Sequence, residues 1–276
     1  MKKHPLETAV YAVLSALVLT VALFPLVYMI GTSVKHGDAL FDTSLFPASP
    51  SLDNYRQLFR DQPFGAYLLN SAWVAGGAVA LSLAVSVLAA YALGRVSFRG
   101  RGVLMMCILG VSMFPQVAIL SGLFELIRAL GLYDRLGALV LSDLIFTLPF
   151  TIWILVTFMR ELPRELEEAA LVDGVGVFTL IFRIFMPLLR PALAATSLLA
   201  FVSAWNEFLF ALTFTISSEQ RTVPVAITMI SGASSFELPW GTIMAASVIV
   251  TVPLVLLVMV CQRQIVSGLT AGAVKG

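Results

Sequence analysis

Six stretches of this chain are each long and apolar enough to cross a bilayer, and that feature limits the fold more than any other. They cover residues 9–31, 68–93, 103–123, 139–159, 192–216 and 242–262. A hydrocarbon core takes about 20 apolar residues per helix. Lipid offers no hydrogen-bond partner to a bare backbone, so each run is expected to be a helix. Barrel strands would alternate apolar and polar residues, whereas these runs are continuous. Composition removes the soluble alternative: 59% of the residues are apolar and 12% charged, against about 45–50% and about 25% in soluble domains. No fold of this size has enough interior to hide so much apolar side chain. The expected fold class is an all-α membrane protein, a single transmembrane domain over residues 1–276 with six transmembrane helices.

A net charge of +1 makes no field for a polyanion, so no nucleic-acid partner is expected. Cys107 and Cys261 both lie in apolar runs, which leaves neither a disulfide framework nor a cysteine metal site. Lys2, Lys3 and His4 ahead of an apolar run resemble a secretory leader. The run continues past Pro25 to Ile30 with no small-residue cleavage site, so it is expected to remain as a helix. With the N-terminus inside, eleven of the 17 Lys and Arg residues fall on the inner side and six on the outer. That excess marks the cytoplasmic face, and both termini are expected there. No internal repeat is evident.

Small residues predict close helix packing in the second run. Gly76, Ala80 and Ala84 share one face, and Ser82, Ser86 and Ala90 another; in lipid that spacing lets backbones approach. Pro115, Pro149 and Pro253 each remove a backbone donor and are expected to bend their helices, for packing ahead of any role in a pathway. Two carboxylates sit at membrane depth. Asp143, near the outer end of the fourth run, is expected to be solvated. Asn206 and Glu207 lie midway along the fifth, beside Trp205. There an inward-facing polar patch on a translocation pathway is favoured over a structural tie. No second acid or histidine at that depth supports acid–base chemistry, and the chain carries no metalloprotease helix, nucleophile elbow or phosphate-binding loop. It is not expected to be an enzyme, and any energetic work must be supplied by a partner.

The inner loop over residues 160–191 carries most of the information. Pro163 suits a helix start, Glu165, Glu167 and Glu168 occupy the first turns, where the helix dipole favours negative charge, and Asp173–Gly174 suits a stop. Ala169 and Ala170 make a poor lipid anchor and a small surface that another protein's groove could approach. A helix lying in the lipid interface is the competing reading.

Glu168-Ala169-Ala170-Leu171-Val172-Asp173-Gly174, with Ile184, Pro187-Leu188 and Pro191 following at the expected spacing, resembles the EAA loop of permease subunits in binding-protein-dependent ABC importers. The tail from Val266 to Gly276, Trp205–Leu212 and Thr222–Ala226 are similar to the smaller permease of the maltose-type sugar importers. Val175 and Ile181 depart from the usual pattern in bulk only. The resemblance implies a type I ABC importer permease fold, with a cytoplasmic coupling helix and a cell-membrane location in a bacterium or archaeon.

By the same resemblance, Glu168, Ala169, Ala170, Asp173, Gly174 and Pro187 would couple to two cytoplasmic ATPase subunits. ATP and Mg would be bound by those partners and no cofactor by this chain. Gly232, Ala233 and Ser234 would meet an extracytoplasmic sugar-binding protein, and a second homologous permease would complete the pathway for a mono- or oligosaccharide of the maltose or trehalose type. The alternative is a half-bundle of an ion-gradient-driven secondary transporter that uses Glu207. It leaves the EAA loop unexplained.

Overall fold

The computed structural model describes residues 5–230 and 238–273, and every regular element among them is a helix. The chain divides into two compact units, residues 1–65 with 226–253 and residues 66–225 with 254–276.

In the first unit, α1 (Pro5–Ser33) exposes nearly every apolar side chain from Val10 to Ile30. That is the surface of a helix whose solvent is lipid. Its end is tied down by polar contacts. After a 3-10 turn (Gly37–Phe41), α2 (Asp53–Asp61) places the Asn54 amide so that Nδ2 donates to the Ser33 and Lys35 carbonyls, at 2.8 and 2.7 Å. Ser33 Oγ pairs with Tyr55 OH at 2.8 Å, and buried Lys35 donates from Nζ to the Asp42 carbonyl at 2.8 Å. Gly31 is where the returning chain comes closest, for a Cβ there would run into the Leu45 carbonyl.

The second unit holds most of α3 (Phe64–Gly94), then α4 (Arg101–Ser112), α5 (Gln116–Ala129), α6 (Leu136–Glu161) and α7 (Glu165–Val172). There follow α8 (Val177–Thr179), a π-helical stretch (Leu180–Phe185) and α9 (Met186–Leu188), which run on as one helix, and then α10 (Arg190–Trp205) and α11 (Leu209–Phe214). Beyond them, α12 (Val223–Thr228) and α13 (Trp240–Ala273) close the element order. α6 packs against α4 and α10, and α11 against α5 and α6. One apolar cluster gathers Leu93, Leu155, Met159, Phe185 and Leu189 around the α7 end. Another gathers Val74, Ile127, Leu139, Phe210 and Phe214.

Two of the six expected runs are not single straight helices. The run over residues 103–123 is α4 and α5, which meet at 97°. Pro115 lacks a donor and pushes Phe114 out of the helical region, so α4 stops at Ser112 and a new helix starts at Gln116. Met113 and Phe114 close the old helix through N–H donation to the Gly110 and Val111 carbonyls. The run over 192–216 breaks after Trp205. Pro149 and Pro253, by contrast, lie inside continuous helices. The two small-residue faces of α3 also differ. Ser82, Ser86 and Ala90 are fully buried, while Gly76, Ala80 and Ala84 are exposed. A small residue permits close approach, but only the neighbour's position decides which stripe is used.

At the end of the unit remote from α7, polar side chains stitch the segment after α11 to the bundle. Asn70 Nδ2 donates to the Glu219 and Arg221 carbonyls, and Ser71 Oγ accepts from Val223 N. Asp134, at φ +58°, aims Oδ1 at the Ile216 and Ser217 N–H groups, 2.8 and 3.0 Å away. Those two donors hold its carboxyl below the usual carboxylate range. A lowered folded-state pKa contributes stability in full above the unfolded value of about 3.9, and that stability fades as pH falls through the folded value. Asp134→Ala should therefore lower the melting temperature at neutral pH and flatten the part of the acid-unfolding profile below about pH 4. Thermal melts across a pH series check both.

Candidate functional site

The loop helix α7 is closed at its end by a two-bond cap built on Gly174. Gly174 sits at φ +71°, in the left-handed region that costs an L side chain about 1–2 kcal/mol. Its N–H donates to the Leu171 carbonyl at 3.1 Å, and Val175 N–H donates to the Ala170 carbonyl at 2.9 Å. These are the paired bonds of a Schellman motif. The helix begins at Glu165, two residues after the expected start at Pro163.

Ala170 turns inward. It is 5% exposed and belongs to the same cluster as Leu155, Met159 and Phe185. Its small size lets α7 lie close to the bundle rather than offering an open docking surface, as the sequence reading expected. Glu168, Ala169, Asp173, Gly174 and Pro187 remain exposed. With them Leu171, Val172, Val177 and Phe178 present an uncovered apolar surface, Val172 at 88% exposure. Two further ties fix the loop: Tyr91 OH donates to Glu167 Oε1 at 3.2 Å and Arg95 donates to the Leu162 carbonyl at 2.7 Å. At Leu189 the helix over Val177–Leu188 turns by 82° into α10. The loop is thus tied by polar and apolar contacts to the ends of α3 and α6 and runs through the turn at Leu189 into α10.

The second candidate lies at the break after Trp205. Glu207 accepts from Phe210 N and Ala211 N at 2.7 and 2.9 Å, and from Gln116 Nε2 at 2.8 Å. Both carboxylate oxygens are committed to the free N-terminal donors of α11 and to the first residue of α5. Glu207 thus ties the break together through these three bonds. Exposed Asn206 caps α10 by returning Nδ2 to the Val202 carbonyl at 2.8 Å.

Asp143 is not solvated as expected: it is 4% exposed, and its Oδ2 has no hydrogen-bond partner among the described residues. Its burial depends on which helices lie against α6, and sequence spacing does not reveal that. Asp134, Asn70 and Gln116 were likewise missed. Only Asp134 carried a local signal, a short polar residue between two apolar runs at a position suited to a left-handed turn. Gly232, Ala233 and Ser234 lie outside the described residues.

Comparison with known proteins joins these features to a family. The family described as binding-protein-dependent transport system inner membrane component matches residues 82–270. The chain is 40% identical to the trehalose/maltose transport system permease protein MalG of Thermococcus litoralis, with 100% of both chains covered. It is 38% identical to the trehalose transport system permease protein SugB of Mycobacterium tuberculosis, covering 96% of this chain and 97% of that one. To the sulfoquinovosyl glycerol transport system permease protein SmoH of Agrobacterium fabrum it is 41% identical, over 95% and 92%. A crystal structure of a bacterial ABC transporter involved in the import of the acidic polysaccharide alginate shares the fold. The TM-score is 0.81 at 24% identity, covering 95% of this chain and 98% of that chain. The fold class is therefore the expected all-α, type I importer permease.

The cap at the break is open to test. Glu207→Ala strands two backbone donors and the Gln116 amide, and should cost about 2 kcal/mol of stability. Glu207→Gln keeps one acceptor oxygen and should cost about half as much. Thermal unfolding of the purified membrane protein in detergent reads both.

Proposed function

This chain belongs to the family of binding-protein-dependent transport system inner membrane components, and from that premise we propose that it is a permease subunit of an ATP-driven ABC importer for a carbohydrate. The cargo class follows the relatives, whose names specify trehalose or maltose, trehalose, sulfoquinovosyl glycerol and diacetylchitobiose. These share a glycosidic core and differ in what it carries, so a mono- or oligosaccharide of the maltose or trehalose type is the proposed cargo.

The observation that carries the coupling role is the uncovered surface on α7 and α8. Exposed Ala169 and Gly174, beside the bare apolar side chains of Leu171, Val172 and Phe178, form a surface that a protein partner can cover. Glu168 and Asp173 add acidic contacts at its rim. Because buried Ala170, Tyr91 and Arg95 anchor this loop to the bundle, motion imposed on α7 passes into α3, α6 and α10. Two ATPase subunits that hold ATP and Mg would grip the loop. Their closure would drive alternating access, a switch between inward- and outward-open packings of the helices. A second homologous permease and an extracytoplasmic sugar-binding protein complete the assembly. Both termini lie in the cytoplasm in this reading, and the chain itself performs no hydrolysis. Asn206 and Glu207, at the helix break, would lie on the pathway, Asn206 with its side chain exposed.

Gly174→Lys should place a strained, charged side chain on the coupling surface and weaken ATPase attachment about tenfold, the equivalent of about 1.4 kcal/mol. In proteoliposomes, sugar uptake should fall with it while the ATPase subunits retain hydrolysis. Normal uptake and an intact copurified complex would remove α7 from the coupling role. ATP-driven uptake by the unmodified protein should also persist with no proton or sodium gradient. A gradient requirement would return the reading to an ion-driven transporter.

A further inference from the structure

The termini of α3, α4, α6 and α7 enclose a cavity of ≈ 380 Å³ lined by Arg95, Arg101, Arg160, Arg164, Glu167 and Glu168. Its volume falls within the about 300–1,000 Å³ of small-molecule sites. Four guanidinium groups face two carboxylates, and among the described residues no ion pair joins them. The side-chain bonds of these arginines go to backbone carbonyls instead: Arg95 to Leu162, Arg160 to Leu93 and Arg101 to Val96. Glu167 is occupied by Tyr91 OH. Arg95 is further held over the Phe185 ring, 5.2 Å from its centroid, and its buried Nε has no hydrogen-bond partner among the described residues. The lining therefore carries four cationic groups against two carboxylates and is ordered in part.

The apolar neighbourhood identifies the kind of anion. Arg101 is the first residue of α4, and no residue of α4 is buried. Below it Val103, Leu104 and Met106 stand open, with Met106 at 75% exposure. An anion with two hydrocarbon chains would satisfy both parts at once, its charged group among the arginines and its tails along α4. Guanidinium groups match phosphate oxygens in paired geometry, and basic pockets at the ends of membrane helices hold acidic headgroups.

We propose that this cavity is a binding site for the headgroup of an anionic phospholipid, a phosphodiester such as that of phosphatidylglycerol, seated against Arg95, Arg101 and Arg164 beside the α7 lever. Bound there, the lipid would brace the joint between α7 and the helix ends. The inference rests on the chain lying in a membrane and not on its cargo, so its failure leaves the transport reading standing.

The test uses the full-length chain, in the assembly in which it purifies, exchanged into mixed micelles of phosphatidylglycerol and phosphatidylcholine. Native mass spectrometry then counts the retained lipids. The unmodified protein should retain phosphatidylglycerol in preference. The Arg101→Gln/Arg164→Gln variant should retain about thirtyfold less, because each arginine near a headgroup contributes on the order of 1 kcal/mol and about 1.4 kcal/mol is a factor of ten. Arg56→Gln/Arg60→Gln, which changes the same number of charges on α2, should match the unmodified protein. If the double variant does not fold, the single Arg101→Gln variant is read in the same way and should show a severalfold loss. Unchanged phosphatidylglycerol retention overturns the proposal. So does displacement of the lipid by inorganic phosphate at equal concentration, which would make this a soluble-anion site. Loss of a protein subunit from the double variant with lipid retention unchanged also overturns it, since the arginines would then be contacts for that subunit.

Discussion

A backbone placed in lipid must find all its hydrogen-bond partners inside the chain, and each departure from a straight helix in this molecule is made under that condition. Where α10 stops at Trp205, the free donors of α11 on buried Phe210 and Ala211 would be left without partners; the Glu207 carboxylate takes both and Gln116 donates to it. Where α4 stops at Ser112, Met113 and Phe114 return their N–H groups to Gly110 and Val111 before Pro115, which has none to place. An acid at membrane depth is costly unless its oxygens are engaged. Glu207 meets that condition through its role in the backbone.

The same need for partners explains how a short exposed helix stays folded against the bundle. α7 has eight residues, too few to be stable alone in water. It persists because Ala170 reaches the apolar cluster beneath it, because Gly174 and Val175 complete its final turn, and because Tyr91 and Arg95 hold its neighbours. The neighbouring alanines face opposite ways, Ala170 inward and Ala169 outward.

Much of the loop was legible in sequence. The acidic first turn, the Asp173–Gly174 stop and the helix between them depend on residues within one or two turns of each other, and the structure keeps them with a two-residue shift at the start. The inward face of Ala170 was not legible, because the periodicity of α7 places apolar residues around a helix without saying which side meets the bundle. The stripes of α3 make the same point, since Gly76, Ala80 and Ala84 are as small and as evenly spaced as the residues that are buried.

The sequence alone settled that this is a helical membrane protein with a structured loop between its fourth and fifth apolar runs. Apolarity, backbone desolvation and helix caps are properties of contiguous residues, and contiguity is what a sequence displays. The tertiary structure alone decided the rest. It bent one expected span by 97° and broke another, joined Gln116 to Glu207 across 91 positions, and buried Asp143. It also gathered arginines from four helix ends around one cavity. Those outcomes depend on which helix lies beside which, and that choice is made by packing among residues far apart in the chain.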